Sequence, residues 1–453
     1  MNTVRVASGL GFYGDSWQPV KASIERGGAH YVCSDHLAEL TLAILQKDRL
    51  KHPESGYTRD MVPMLQELLP LGLPRGVKFI LNAGGLNPLG AQAAVVAALK
   101  RAGVKARVAA VTGDALHDRL DELVEAGVSF AHLDTGAGLE AVRDRLLFAN
   151  AYLGAWPIVE ALRAEADIVI TGRVADAALF LAPLIHTFGW TAADLDRLAQ
   201  GVVVGHLLEC SGQASGGNFG GDWRSVPDLA GIGYPIAEVA SDGTGLVTKA
   251  PGTGGRVSFD TLREQLLYEV HDPSRYLTPD VTVDLTAVRL DDRGGDEVVV
   301  TGARGAAAPA RLKVVAGYHD GWMGQAMVGY AWPDALEKAR AAAAIIEAQL
   351  GRSDAELHTE FVGHNSLHGP LADDRHARDL NEVYLRMAVR TPDKAVADRF
   401  GRLFPPLGLS GPPFVGGYGG LTPPRELLGI WPTLIAREHV EPHVRVHLEA
   451  VRP

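Results

Sequence analysis

Along the first half of the chain, short apolar runs alternate with stretches whose apolar residues recur every three to four positions. Residues 4–7, 29–33, 77–82, 104–111, 128–133 and 167–171 read as buried strands. Between them, 37–50, 91–101, 115–125 and 138–148 carry the period of amphipathic helices. Strand, helix, strand at this spacing calls for right-handed crossovers and a mainly parallel sheet. After about residue 275 the pattern changes. Residues 281–290, 297–303 and 312–318 read as antiparallel strands, and 333–350 as an alanine-rich helix opened by Pro333-Asp334. Strands near 356–362, 382–389 and 443–450 follow, with a helix near 392–402. The expected fold is therefore α/β. A mainly parallel, doubly wound N-terminal domain spans 1–274, and an α+β C-terminal domain, one sheet covered by two helices, spans 275–453.

Small and polar residues gather where the strand patterns end. The runs are Ser8-Gly-Leu-Gly11-Phe-Tyr-Gly-Asp15, Asn82-Ala-Gly-Gly-Leu-Asn87, Thr112-Gly-Asp114 and Thr171-Gly-Arg173. Each alone is ordinary turn chemistry. Four at one sheet edge point to a site, because ligands of open α/β sheets bind outside the carboxyl ends of the strands. Gly11, Asp15, Asn82, Asn87, Thr112 and Asp114 are thus candidate binding residues. Asn150 and Tyr152, just ahead of the helix pattern at Trp156, join them.

Composition narrows the class without naming a function. Hydrophobic residues make up 47% of the 453 and charged residues 21%, the balance of a globular chain. A net charge of -11 argues against nucleic acid or an anionic membrane surface as partner. Two cysteines, Cys33 and Cys210, with no C-x-x-C pair, exclude a disulfide framework or a cysteine-rich metal site. The opening residues lack the pattern of a signal peptide, and no apolar run reaches the length of a membrane span, so a cytoplasmic location is expected.

Several motifs carry chemistry beside a plainer reading. Gly9-x-Gly11-x-x-Gly14 followed by Asp35 has the form of a dinucleotide fingerprint, which would make the protein an NAD(P)- or flavin-dependent oxidoreductase. Phe12 and Tyr13 crowd that turn, and Asp35 also suits a helix N-cap. Asp35 and Glu39 lie one helical turn apart and could divide acid and base roles. Arg173, with Asp176 three residues on, suits a carboxylate or phosphate; the plain alternative is a surface ion pair. His206 and Glu209 at i, i+3 resemble half of a metal site that His271-Asp272 would have to complete. Lys249 ahead of Gly252-Thr253-Gly254-Gly255 could cradle a phosphate, or simply be a tight turn. Neither a Gly-x-Ser-x-Gly elbow nor a reactive-cysteine signature occurs, so proton transfer by Glu39, Asp176 and His271 fits better than nucleophilic hydrolysis.

Asn150-Ala-Tyr-Leu-Gly-Ala-Trp-Pro157, Ile170-Thr-Gly-Arg-Val-Ala-Asp176 and Gly205-His-Leu-Leu-Glu-Cys210 resemble the acyclic terpene utilisation (AtuA-type) family. Thr248-Lys-Ala-Pro-Gly-Thr-Gly-Gly255, Glu264–Pro273, Tyr276-Leu-Thr-Pro-Asp280 and Trp431-Pro-Thr-Leu434 extend the resemblance over most of the chain. It implies metabolism of branched, terpenoid acids as acyl-CoA thioesters, in a short form lacking the further C-terminal domain of longer members. The expected activity is a cofactor-independent hydratase or lyase on a small or CoA-linked carboxylic acid, in a homo-oligomer, with no resident metal or nucleotide. Arg173 and Lys249 would hold its anionic groups. The alternatives are the oxidoreductase above and a non-catalytic partner subunit of an acyl-CoA carboxylase-type complex.

Overall fold

The structure, a computed structural model, describes residues 3–351, 355–420 and 422–452. From β1 (Thr3–Ser8) the chain passes through α1 (Gln18–Glu25) to β2 (Tyr31–Ser34). It continues through α2 (Glu39–Lys51) and α3 (Met61–Gly72) to β3 (Lys78–Leu81), then through α4 (Pro88–Ala102) to β4 (Ala106–Thr112). After α5 (Leu120–Glu125) come β5 (Leu146–Ala151), α6 (Trp156–Arg163), β6 (Ile168–Thr171), α7 (Ala178–Phe188) and α8 (Leu195–Leu208). Next are β7 (Pro235–Ala240), β8 (Gly245–Lys249), α9 (Phe259–Leu267), β9 (Tyr276–Leu277) and β10 (Thr282–Asp284). β11 (Arg289–Gly294), β12 (Glu297–Thr301), β13 (Arg304–Ala306) and the long β14 (Arg311–Ala331) follow. The remainder is α10 (Ala335–Leu350), β15 (Glu356–Val362), β16 (Glu382–Thr391), α11 (Lys394–Gly401), α12 (Leu407–Ser410), β17 (Val415–Gly416), β18 (Arg425–Ala436) and β19 (Arg445–Val451).

The largest sheet has ten strands in the order β11-β12-β8-β7-β1-β2-β3-β6-β4-β19. Its middle, β1-β2-β3-β6-β4, is parallel. Antiparallel strands extend it on both sides, β7, β8, β12 and β11 beyond β1, and β19 beyond β4. The expected mainly parallel sheet is thus a mixed one. Phe79 and Leu81 of β3 pack with Val20 and Ile24 of α1, Leu65 and Leu68 of α3, and Val95 and Leu99 of α4. Successive strand residues point to opposite faces. Val32 belongs to that same cluster, whereas the Cys33 thiol donates to the Leu179 carbonyl of α7 at 3.2 Å.

Two compact units emerge, Met1–Gly317 with Ile430–Pro453, and Tyr318–Gly429. The sequence pattern put the boundary at 274. Strands after that point nevertheless belong to the first unit, because β12 pairs with β8 and β19 with β4. In the second unit the strands run antiparallel in the order β15-β16-β14-β17. Leu336 and Ile346 of α10 and Phe400 of α11 cluster there with Val328 of β14 and Leu385 and Met387 of β16. The expectation of a sheet with two helices is met in this smaller segment.

Other local expectations change. Residues 128–133 form no strand: Phe130 is left-handed, and the Phe130 and Ala131 carbonyls accept from Trp431 Nε1 and Thr433 Oγ1. Residues 138–148 form short 3-10 turns running into β5. The glycine-rich stretch that follows α8 begins after Leu208, where the helix ends. Among the described residues, no helix is long and apolar enough to cross a membrane.

One buried carboxylate in this scaffold gives a direct stability test. Both oxygens of Asp280, between β9 and β10, accept from Ala155 N (2.9 and 3.0 Å) at the head of α6. Burial, only partly offset by that bond, raises its pKa to about 6. Raised in the folded state, it makes a stabilising contribution below the unfolded pKa that is lost as pH climbs through 6. Asp280→Asn should therefore gain on the wild type by about 3 kcal/mol between pH 3.5 and pH 7 in denaturant titrations. A constant difference across that range would contradict the account.

Candidate functional site

The carboxyl ends of β4 and β6 and the end of β5 are held together by one side chain. Asp114, 2% exposed, accepts through Oδ2 from the Arg173 amide and from Asn150 Nδ2, both at 2.8 Å. A Cβ on Gly172 would lie 2.4 Å from that carboxylate, so only glycine lets β6 pass this close. Burial raises the Asp114 pKa to about 6 against these hydrogen bonds. Asp114 and Asn150 are committed to this bracket.

The bracket aims the Arg173 side chain inward. Its Nη1 donates to the Leu37 carbonyl, Nη2 lies 3.1 Å from Asp176 Oδ1, and Nε has no hydrogen-bond partner among the described residues. The guanidinium sits 4.2 Å from the centroid of the Tyr152 ring. Lys313 Nζ approaches the same ring at 4.6 Å. β5 pairs with β14, and Tyr152 N donates to Lys313 O at 2.8 Å, which brings this distant lysine into register. Tyr152 Oη donates to Glu39 Oε1 at 2.5 Å, and Lys313 Nζ donates to the same oxygen at 3.1 Å. Burial opposes the Glu39 charge. The Tyr152 hydroxyl, Lys313 and Arg173 prevail, and its pKa falls to about 2. Burial likewise opposes the charge on Arg173, but Asp176, Tyr152, Asp35 and Glu39 outweigh it and hold it protonated.

Behind this half-open face lie carboxyls of the opposite tendency. Asp35 follows β2 and is buried; its Oδ1 accepts from Asn82 Nδ2 at 2.5 Å and from Leu37 N at 3.1 Å. Burial and then Asp176 push its pKa well up, against Arg173 and Asn82. Asp176 is raised by burial, less the effect of Arg173, with Glu39 and Glu269 adding to the rise. Beyond them, at the end of α8, Glu209 Oε1 pairs with His206 Nδ1 at 2.8 Å, both residues buried. Burial raises Glu209 to about 7 although His206 pulls it down. The site thus combines fixed cations and an ionised Glu39 with acids that hold protons toward neutral pH.

Other residues expected here serve different ends. The glycine loop after β1 has its amides engaged: Gly11 N donates to Asp15 Oδ2 at 3.0 Å and Gly14 N to Asp60 Oδ2 at 2.8 Å. A Cβ on Gly11 would lie 2.9 Å from the Cys210–Ser211 backbone, so this glycine admits the turn after α8. Asp15 is further tied by the Tyr234 hydroxyl. Asn87 caps α4 through Gly90 N, and Thr112 pairs with His447. Lys249 bonds the Thr253 carbonyl and pairs with Asp296 at 3.0 Å. Gly254 N donates to Gly231 O, and Thr253 Oγ1 donates to the Ala250 carbonyl while Gly252 takes a positive φ. The phosphate cradle read from the sequence is a closed turn.

His271 is exposed; the chain leaves α9 at Tyr268, turns left-handed at Glu269, and carries the histidine outward. Glu269, not His271, faces the acids and raises Asp176. His271 therefore does not complete a metal site with His206 and Glu209. Among the described residues, no group of three or more His, Cys, Asp or Glu is arranged to hold a metal ion. Local pattern does not reveal Lys313, because its signal is the pairing of two strands far apart in the sequence, β5 and β14. Asp35 was visible as the partner of Glu39, though not as a site acid in its own right.

Fold and site together define an α/β protein with a carboxylate-rich cluster, built around a buried arginine, at the carboxyl edge of a parallel strand set. The chain belongs to the family of acyclic terpene utilisation protein AtuA, whose model matches residues 4–446. No match was found to a curated protein or to a solved structure. Family membership associates the protein with acyclic terpene utilisation.

Proposed function

We propose that this cluster binds a small branched carboxylic acid, free or as its CoA thioester, and moves a proton on it in a cofactor-independent hydratase or lyase reaction. The observation that carries the reading is the pair of acids, the buried Asp35 and the half-buried Asp176, held toward their protonated forms beside Arg173. A carboxyl that burial makes hold its proton more tightly than usual is suited to donate it to a substrate and take it back. Lys313 and Arg173 supply positive charge for a carboxylate or developing enolate oxygen, with Lys313 on the more open side. Glu39, ionised well below neutral pH, works as a fixed charge that orients Tyr152 and Lys313. The acid/base roles first given to Glu39 and His271 pass to Asp176 and Asp35. Family membership supports the branched acid as substrate class.

The oxidoreductase reading loses support because the loop amides that would cradle a pyrophosphate already serve Asp15 and Asp60. A non-catalytic subunit would tolerate substitution of the buried acids. The test is incubation with a panel of branched and straight-chain acids and their CoA thioesters in deuterium oxide, read by mass spectrometry. Deuterium should enter a branched member, and Asp176→Asn should slow this by a factor on the order of 100 or more. No exchange with any compound would defeat the proposal; exchange untouched by Asp176→Asn would defeat its choice of acid.

A further inference from the structure

Resting on that acid/base reading, we propose that Glu209 is a further proton-carrying carboxylate of the site and that His206 is its positioning residue. Glu209 is 5% exposed and His206 2% exposed. Through Oε1 Glu209 is tied to His206 Nδ1, while Oε2 is buried with no hydrogen-bond partner among the described residues. A carboxyl with one oxygen anchored and the other unpartnered is oriented but not consumed by structure. Three features place the pair. The Leu208 carbonyl accepts from Ser8 Oγ at the end of β1, which ties the end of α8 to the carboxyl edge of the sheet. The glycine at 11 lets the following Cys210–Ser211 turn approach the loop after β1. Gln265 Nε2 of α9 donates to the His206 carbonyl at 2.8 Å.

The groups facing Glu209 are His206 on its own helix, Cys210 beside it, Asp35 after β2, Asp176 after β6, Glu269 after α9 and Tyr276 of β9. His206 in turn faces the Leu266 carbonyl and the Tyr276 ring, at 5.7 Å between centroids. Several carboxyls within electrostatic reach of each other, taken out of water, do not all ionise together. When Asp176 or Asp35 gives its proton to the substrate, the new negative charge favours uptake of a proton from water by the ionised Glu209. When the aspartate takes a proton back from the substrate, Glu209 releases one to water. The charge of the cluster is thereby kept nearly constant through a reaction cycle.

The test uses the free full-length protein and pH-difference infrared spectroscopy of buried carboxyl groups. Wild type minus Glu209→Gln should isolate one carboxyl band titrating near neutral pH. His206→Gln should keep that band and move its midpoint upward by about one pH unit or more, since His206 favours the ionised carboxylate. Glu209→Asp, with a shorter reach to His206, should also move the midpoint upward. An unchanged spectrum in Glu209→Gln, or a midpoint unmoved by both other substitutions, would overturn the proposal. Failure of every compound to exchange deuterium would remove the acid/base reading while leaving these spectra as they are. Exchange whose pH profile is the same in wild type and Glu209→Gln would remove this proposal alone.

Discussion

Replacing Arg173 with methionine should abolish deuterium exchange and cost about 3–5 kcal/mol of stability near pH 8, the range for breaking a buried ion pair from one side. The side chain's volume is roughly kept, so the loss comes from charge. Asp176, Asp35 and Glu39 would face one another without the cation that Coulombically favours their ionisation. The loss should shrink toward pH 5. Asp176 and Asp35, whose pKa values rise further without Arg173, then hold their protons more fully in the folded state and repel less. Denaturant titrations at the two pH values decide the matter. An equal loss at both would mean that Arg173 acts by packing alone, and retained exchange would end its role in the site.

The second large effect is expected at Asp114. Asp114→Ala leaves the Arg173 amide and Asn150 Nδ2 without their acceptor. Each buried donor left unsatisfied costs about 1–3 kcal/mol, so the total should reach about 2–6 kcal/mol. The same change frees the ends of β4, β5 and β6 that place Arg173 and Tyr152, and turnover should fall along with the melting temperature. Asp114→Asn keeps an acceptor oxygen and should recover part of both. If the alanine variant melts like the wild type, the bracket does not hold these strands.

Sequence pattern alone revealed the parallel strands because each is a short apolar run ending in small polar residues. It failed where apolar residues are buried without pairing in a sheet. Phe130, 1% exposed, belongs to a segment whose partners Trp431 and Thr433 lie some 300 positions away. The same limit governs the site. Arg173, Asp176, Asn82 and Tyr152 lie at or near strand ends and could be read locally. Lys313 reaches Tyr152 only through the β5–β14 pairing, and no local periodicity encodes that. Lys249 and Gly252–Gly254 misled for a related reason: a glycine turn that satisfies itself and one that awaits a phosphate share a composition. His271 and Glu269 are two positions apart and both exposed, yet it is the charge of Glu269, at the left-handed turn after α9, that reaches Asp176.

The antiparallel pairing of β19 with β4 has a consequence in time. β4 is nearly all apolar and carries one charged side chain, Arg107, and its outer edge is covered only when Val446 meets Val111 and Val451 meets Ala106. Those partners emerge from the ribosome on the order of 300 residues later, which at usual elongation rates is roughly 15 to 70 s. For that interval the nascent chain presents an open strand edge of the kind that recruits other chains. Yield in the cell should accordingly depend on how crowded the polysome is and on chaperones that shield the nascent edge, well before the stability of the finished protein comes into play.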